Sequence, residues 1–121
     1  SRLSPKMLAD VEQGATGGIA AAPVLVVVCA DIERGLEQTV PSSIFPATQN
    51  LLLAATALGL AGALTTIMVG YRAELRALLA LPEPVVPVAV VPLGHPARPL
   101  GPPRREPFSE HTHRERYGES W

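Results

Sequence analysis

From Leu51 to Tyr71 the chain carries no charged side chain. A run of ~20 apolar residues is long enough to cross a bilayer as a helix, so this stretch frames two incompatible proteins. One is a small single-pass membrane protein spanning Leu51–Tyr71. The other is a buried helix that turns and continues as a buried strand. Composition along the run separates them. Its first part, LLLAATALGL, is rich in Leu and Ala, which favour helix. Gly59, near the end of that part, and Gly62 interrupt it, and ALTTIMV then brings Thr65, Thr66, Ile67 and Val69, which favour strand. A continuous membrane helix is weakened by two glycines and a Thr-Thr pair, whereas a helix, a glycine turn and a strand are served by them. Two more apolar runs, Val24–Val28 and Val85–Leu93, are too short to span and need a core to cover them. The reading is a layered domain with no membrane association.

The remaining segments fit that frame. LSPKMLADVEQ over 3–13 predicts a short helix, with Ser4 as N-cap and Pro5 at the first helical position. GATGG, Gly14 to Gly18, is expected to break it as a plain linker. Val24–Val28 is an unbroken β-branched run, the pattern of a strand buried on both faces, and Asp31 to Gln38 is a polar connector. A helix is predicted over 43–60, capped by Ser43 with Pro46 in its first turn. YRAELRALLALPEP predicts a short helix with Leu75, Leu78 and Leu79 on one face, stopped by Pro82 and Pro84. In the last strand Pro87 and Pro92 argue for an edge position or the strand's first residues. From His95 onward apolar periodicity ends, and an extended arm is expected. The order β, α, β, α, β gives an α+β or α/β layered domain. Residues 1–19 form a helix and Gly-rich linker, 20–97 the core, and 98–121 the arm.

Composition and motifs exclude several functions. A net charge of −1 gives no basic face for nucleic acid. The single Cys29 rules out an internal disulfide framework and suits a reducing cytoplasm; within its apolar strand it reads as an inert small hydrophobe. No signal peptide is evident, and a first residue other than Met suggests that the protein begins upstream. Neither GxGxxG nor GxxxxGK[ST] occurs. His111 and His113 in HTH lack the further ligands that a closed zinc site needs, so no metal is expected. Arg104 and Arg105 lie just past Pro102-Pro103 and are suited to bidentate phosphate contacts. By the residues alone they read as a solvated surface pair.

Several segments taken together resemble one family. APVLVVVCAD, ATQNLLLAATALGLAGALTT, ELRALLALPEPVVPVAVVPLGHPA and PPRREPFSEHTHRERYG are similar, in that order over about 20–118, to the C-terminal half of flavin-dependent nitroreductase-like proteins. The resemblance implies a nitroreductase-like three-layer α/β/α sheet fold and an intertwined homodimer with FMN at the subunit interface. It implies an oxidoreductase passing electrons from NAD(P)H through the flavin to a nitro compound, quinone or similar small-molecule acceptor. By position, Leu64, Thr65 and Thr66 would approach the isoalloxazine ring, and Arg105 with Arg104 beside it would hold the phosphate. The arm from Pro96 to Trp121 would cross onto the neighbouring subunit. The family's N-terminal segment of RRSxRxF type has no counterpart here, so the fold is expected to be incomplete at its N-terminus. A non-catalytic fragment that pairs with another polypeptide is the alternative.

Overall fold

A computed structural model describes residues 4–35 and 37–121. Helix α1, Pro5–Gln13, begins as the sequence predicts: the Ser4 hydroxyl accepts the Met7 backbone N–H at 3.3 Å, and Pro5 takes the first position. GATGG does not end it. The backbone stays right-handed at Gly14 (φ −62°, ψ −43°) and winds on as a wider π-helical turn over Gly14–Ile19, with the Thr16 hydroxyl donating to the Glu12 carbonyl at 2.7 Å. Glycine weakens a helix by ~1 kcal/mol but does not forbid helical dihedrals. No residue of α1 is buried; Met7 and Leu8 stand about half exposed.

The sheet has three strands in the order β1–β3–β2, with β1 Val24–Asp31, β2 Ala61–Gly62 and β3 Val85–Gly94. Both pairings are antiparallel; β1 runs from Val24 opposite Leu93 to Asp31 opposite Val85, with a register shift between Val28 and Cys29. The expected edge strand, β3, is therefore central, and its prolines are accommodated by where their missing N–H groups fall. Pro87 faces Cys29 at the register shift. Val90 exchanges both backbone bonds with Thr65, so Pro92, two residues on, turns its nitrogen to the same side, at the gap between that bridge and the Gly62–Leu93 pair. Val91, 0% exposed, is the centre of the core with Ala89 and Val90. Strand β1 departs from its expected burial: only Ala30 is buried, because no strand among the described residues lies beyond it in this sheet.

Helix α2, Val40–Ala57, starts earlier than Ser43. Pro41 occupies its first turn, and Pro46 lies inside it. The helix packs on β1 and β2, with Thr48 (1% exposed) and Ala55 turned inward. The Thr48 hydroxyl donates to the Ile44 carbonyl at 2.8 Å, so its burial leaves no polar atom unpaired. The helix closes with a glycine in the left-handed region: Gly59 has φ 76°, its N–H bonds the Thr56 carbonyl at 3.0 Å, and that of Leu60 bonds the Ala55 carbonyl at 2.9 Å. The charge-free run is thus a helix, a glycine turn and a short strand. No helix among the described residues is long and apolar enough to cross a membrane.

The strand expected over Thr65–Val69 is much reduced. Beyond Ala61–Gly62 only Thr65 pairs, with Val90, and Ile67–Tyr71 forms a 3-10 turn. The Thr65 hydroxyl accepts the Ile67 N–H at 3.2 Å, a local bond that competes with the ladder and bends the chain away. Helix α3, Arg72–Leu78, packs on β3 with Leu75 as its buried residue; Leu78 is 80% exposed, so the three leucines do not share a buried face. The arm also departs from a simple extended chain. Its end folds back on itself through the Phe108–Glu110 turn, the Thr112 hydroxyl on the Phe108 carbonyl (2.8 Å) and the Arg114 N–H on the Glu119 carbonyl (3.0 Å).

Candidate functional site

An open cleft of about 540 Å³ lies between the end of α1 with its π-helical turn and the β2–β3 ladder. Its walls are apolar, with Val11, Ala15 and Ile19 on one side and Ala61, Ala63 and Leu93 on the other; Thr65 and His95 add polar groups. The ladder sets the shape of this wall. A Cβ at Gly62 would stand 2.6 Å from the Leu93 Cδ2, 3.0 Å from the Leu52 Cδ2 and 3.2 Å from the Pro92 carbonyl oxygen, so glycine is the residue that lets β2 approach β3 here.

Thr65 is held by two 2.9 Å backbone bonds to Val90. Its hydroxyl oxygen takes the Ile67 N–H, which leaves the hydroxyl proton available to an acceptor in the cleft. Of the three residues expected to line a ring, Thr65 faces the cleft, whereas Leu64 and Thr66 are exposed and lie outside its lining.

A second, polar cavity of about 650 Å³ is formed by Arg104, Arg105, Glu106 and His111. Glu106 Oε2 and His111 Nε2 are 2.5 Å apart. Among the described residues neither arginine has an ion pair or hydrogen bond. The pair is therefore an open cationic site that a phosphate oxygen set can enter without displacing a carboxylate. The two cavities share no lining residue: Arg104 and Arg105 line one, and Thr65 the other.

Sequence reasoning missed Glu106 and His111 as a pair. The HTH motif drew attention to the wrong partner: His111 meets Glu106, while His113 stands edge-on to Tyr117 with ring centroids 4.4 Å apart. No group of three or more metal-ligating side chains forms among the described residues. Cys29 lines neither cavity; partial burial pushes its thiol pKa up, which suits an unreactive packing residue.

Comparison with known proteins locates the same segments. The nitroreductase family model matches residues 5–95. A protein of Methanothermobacter thermautotrophicus, provisionally named NADH dehydrogenase/NAD(P)H nitroreductase, is 41% identical over 86 residues, which cover 66% of this chain and 44% of that one. The structure of B. megaterium NfrA2 superimposes with a TM-score of 0.72 at 26% identity, over 96% of this chain and 56% of that chain. A Parabacteroides distasonis structure, again provisionally titled NADH dehydrogenase/NAD(P)H nitroreductase, gives a TM-score of 0.71 at 26% identity, over 79% of this chain and 57% of that chain. The chain thus spans about half the length of these three relatives.

Proposed function

The chain belongs to the nitroreductase family, and from that premise we propose that it is an FMN-dependent oxidoreductase, or a part of one. It passes electrons from NAD(P)H through the flavin to a nitro compound, quinone or similar small acceptor. When bound, the flavin supplies the hydride and electron transfer; this chain's residues bind it, orient it and exclude water. Arg105, supported by Arg104, holds the phosphate. Thr65 faces the ring, flanked by Leu64 and Thr66, and can donate its hydroxyl proton to a ring heteroatom without placing a charge beside it. The carrying observation is the donor set: two guanidiniums, neither bonded to the Glu106 carboxylate that shares their polar cavity, lie on the arm, and the family-matched core presents an apolar wall with one fixed hydroxyl.

The separation of the two cavities supports assembly across a homodimer, in which the arm from Pro96 to Trp121 reaches the neighbouring core and brings its arginines to that core's ring site. A cytoplasmic location goes with this reading. A second reading, pairing with another polypeptide, is favoured by the uncovered apolar face of α1, Met7, Leu8 and Val11, in a chain that spans 44% of its curated relative.

Flavin fluorescence quenching tests the proposal. Removing one charge-assisted bond costs ~1.5–3 kcal/mol, so Arg105→Ala should weaken FMN binding by roughly tenfold to hundredfold. Arg98→Ala, outside the polar cavity, should leave it nearly unchanged. Equal affinities of the two variants would refute the phosphate assignment, and a wild-type chain that binds no flavin would refute the flavin reading.

A further inference from the structure

We propose that His111 is a positioning residue for the arginine pair: it holds the Glu106 carboxylate so that Arg104 and Arg105 stay available to a phosphate-class anion. The inference rests on the reading of that pair as the phosphate site. Glu106 directly follows the two arginines, and among the described residues it is the only carboxylate lining their cavity. A carboxylate so close in sequence to two guanidiniums is their natural partner, since opposite charges attract even in water and more strongly near a protein surface.

The structure places it elsewhere. Glu106 Oε2 lies 2.5 Å from His111 Nε2 and bonds neither arginine. The local fold builds this pairing. Pro107 fixes its own φ at −56° and leads into the Phe108–Glu110 turn. The Glu110 N–H bonds the Pro107 carbonyl at 3.1 Å and the His111 N–H bonds the Phe108 carbonyl at 3.0 Å. The Thr112 hydroxyl closes on the Phe108 carbonyl at 2.8 Å. Five residues on from Glu106, the chain has thereby come back to meet it. His113, two residues further, takes no part and stands against Tyr117 instead.

Without the imidazole, the freed carboxylate turns to the arginines and competes with an incoming anion. A pair this exposed competes by about 0.2–1 kcal/mol, which corresponds to a loss of anion affinity of about 1.4- to fivefold. The carboxylate is the agent of that loss, so neutralising it should abolish the effect.

The test titrates FMN and riboflavin, which share a ring but differ in the phosphate, into the full chain and its variants. His111→Ala should weaken FMN about 1.4- to fivefold and leave riboflavin unchanged. Adding Glu106→Gln to His111→Ala should restore FMN affinity to the wild-type value or better, and His111→Gln, which can still donate to the carboxylate, should behave as wild type. His113→Ala should change neither flavin. The inference is overturned if His111→Ala binds FMN as the wild type does while Arg105→Ala is impaired, an outcome that leaves the flavin reading intact. It is also overturned if riboflavin weakens equally, which indicates a merely structural role, or if Glu106→Gln fails to restore binding. Should the wild type bind neither flavin, the flavin reading has failed on its own. Inorganic phosphate followed by phosphorus NMR line width then reads the arginine pair directly in the same variants, and absence of phosphate binding overturns the inference.

Discussion

One methyl group added at Gly62 should destabilise this protein, and the same methyl at Gly17 should stabilise it. At Gly62 the new carbon would lie 2.6 Å from the Leu93 Cδ2, 3.0 Å from the Leu52 Cδ2 and 3.2 Å from the Pro92 carbonyl oxygen. The two leucine ends can rotate, at about 0.5–1.5 kcal/mol for each side chain forced off its rotamer. The Pro92 oxygen belongs to the central strand and cannot yield without disturbing the Gly62–Leu93 pair. Overpacking of this kind costs about 1–3 kcal/mol. Gly17 lies in the π-helical turn, has no positive φ, and leaves open space within 4 Å of where the methyl would stand. There alanine gains about 0.5–1 kcal/mol from backbone entropy and helix preference. Urea unfolding followed by circular dichroism reads both, with an unchanged slope and a shifted midpoint as the signature of a pure stability change. A midpoint for Gly62→Ala equal to or above the wild type would refute the close β2–β3 approach, and with it the shape assigned to the cleft wall.

Burial raises the Cys29 thiol pKa in the fold, so its contribution to stability is present below the ordinary thiol pKa and lost as pH rises through the folded value. Cys29→Ala should remove that part of the alkaline loss in unfolding midpoints taken above about pH 8.5, and identical pH profiles would contradict it. Light scattering at micromolar concentration should return the mass of a dimer, because α1, β1 and the arm leave Leu8, Leu25 and Phe108 uncovered; a stable monomer would refute the assembly proposed for the site.

Where a signal depends only on neighbouring residues, the amino-acid order determined the structure. The Ser4-Pro5 start of α1 is one case, since capping needs a hydroxyl within three residues of an N–H. The end of α2 is another: Gly59 can adopt φ 76° at no steric cost, so the helix closes there and the charge-free run cannot continue as one helix. The β-branched runs likewise marked β1 and β3. Tertiary structure decided what depends on distant partners. Pro87 and Pro92 argued for an edge, yet β3 is central, because whether a missing N–H matters is set by the register of strands far away in the chain, β1 and β2. Leu75 is buried and Leu78 is exposed because β3 covers only one side of α3. GATGG stayed helical because glycine permits helical dihedrals, so its presence alone did not end α1. By the residues alone the arginines read as a solvated surface pair, and their neighbour's partner was not legible: a turn carries Glu106 to His111, a pairing made by the fold and invisible in residue spacing.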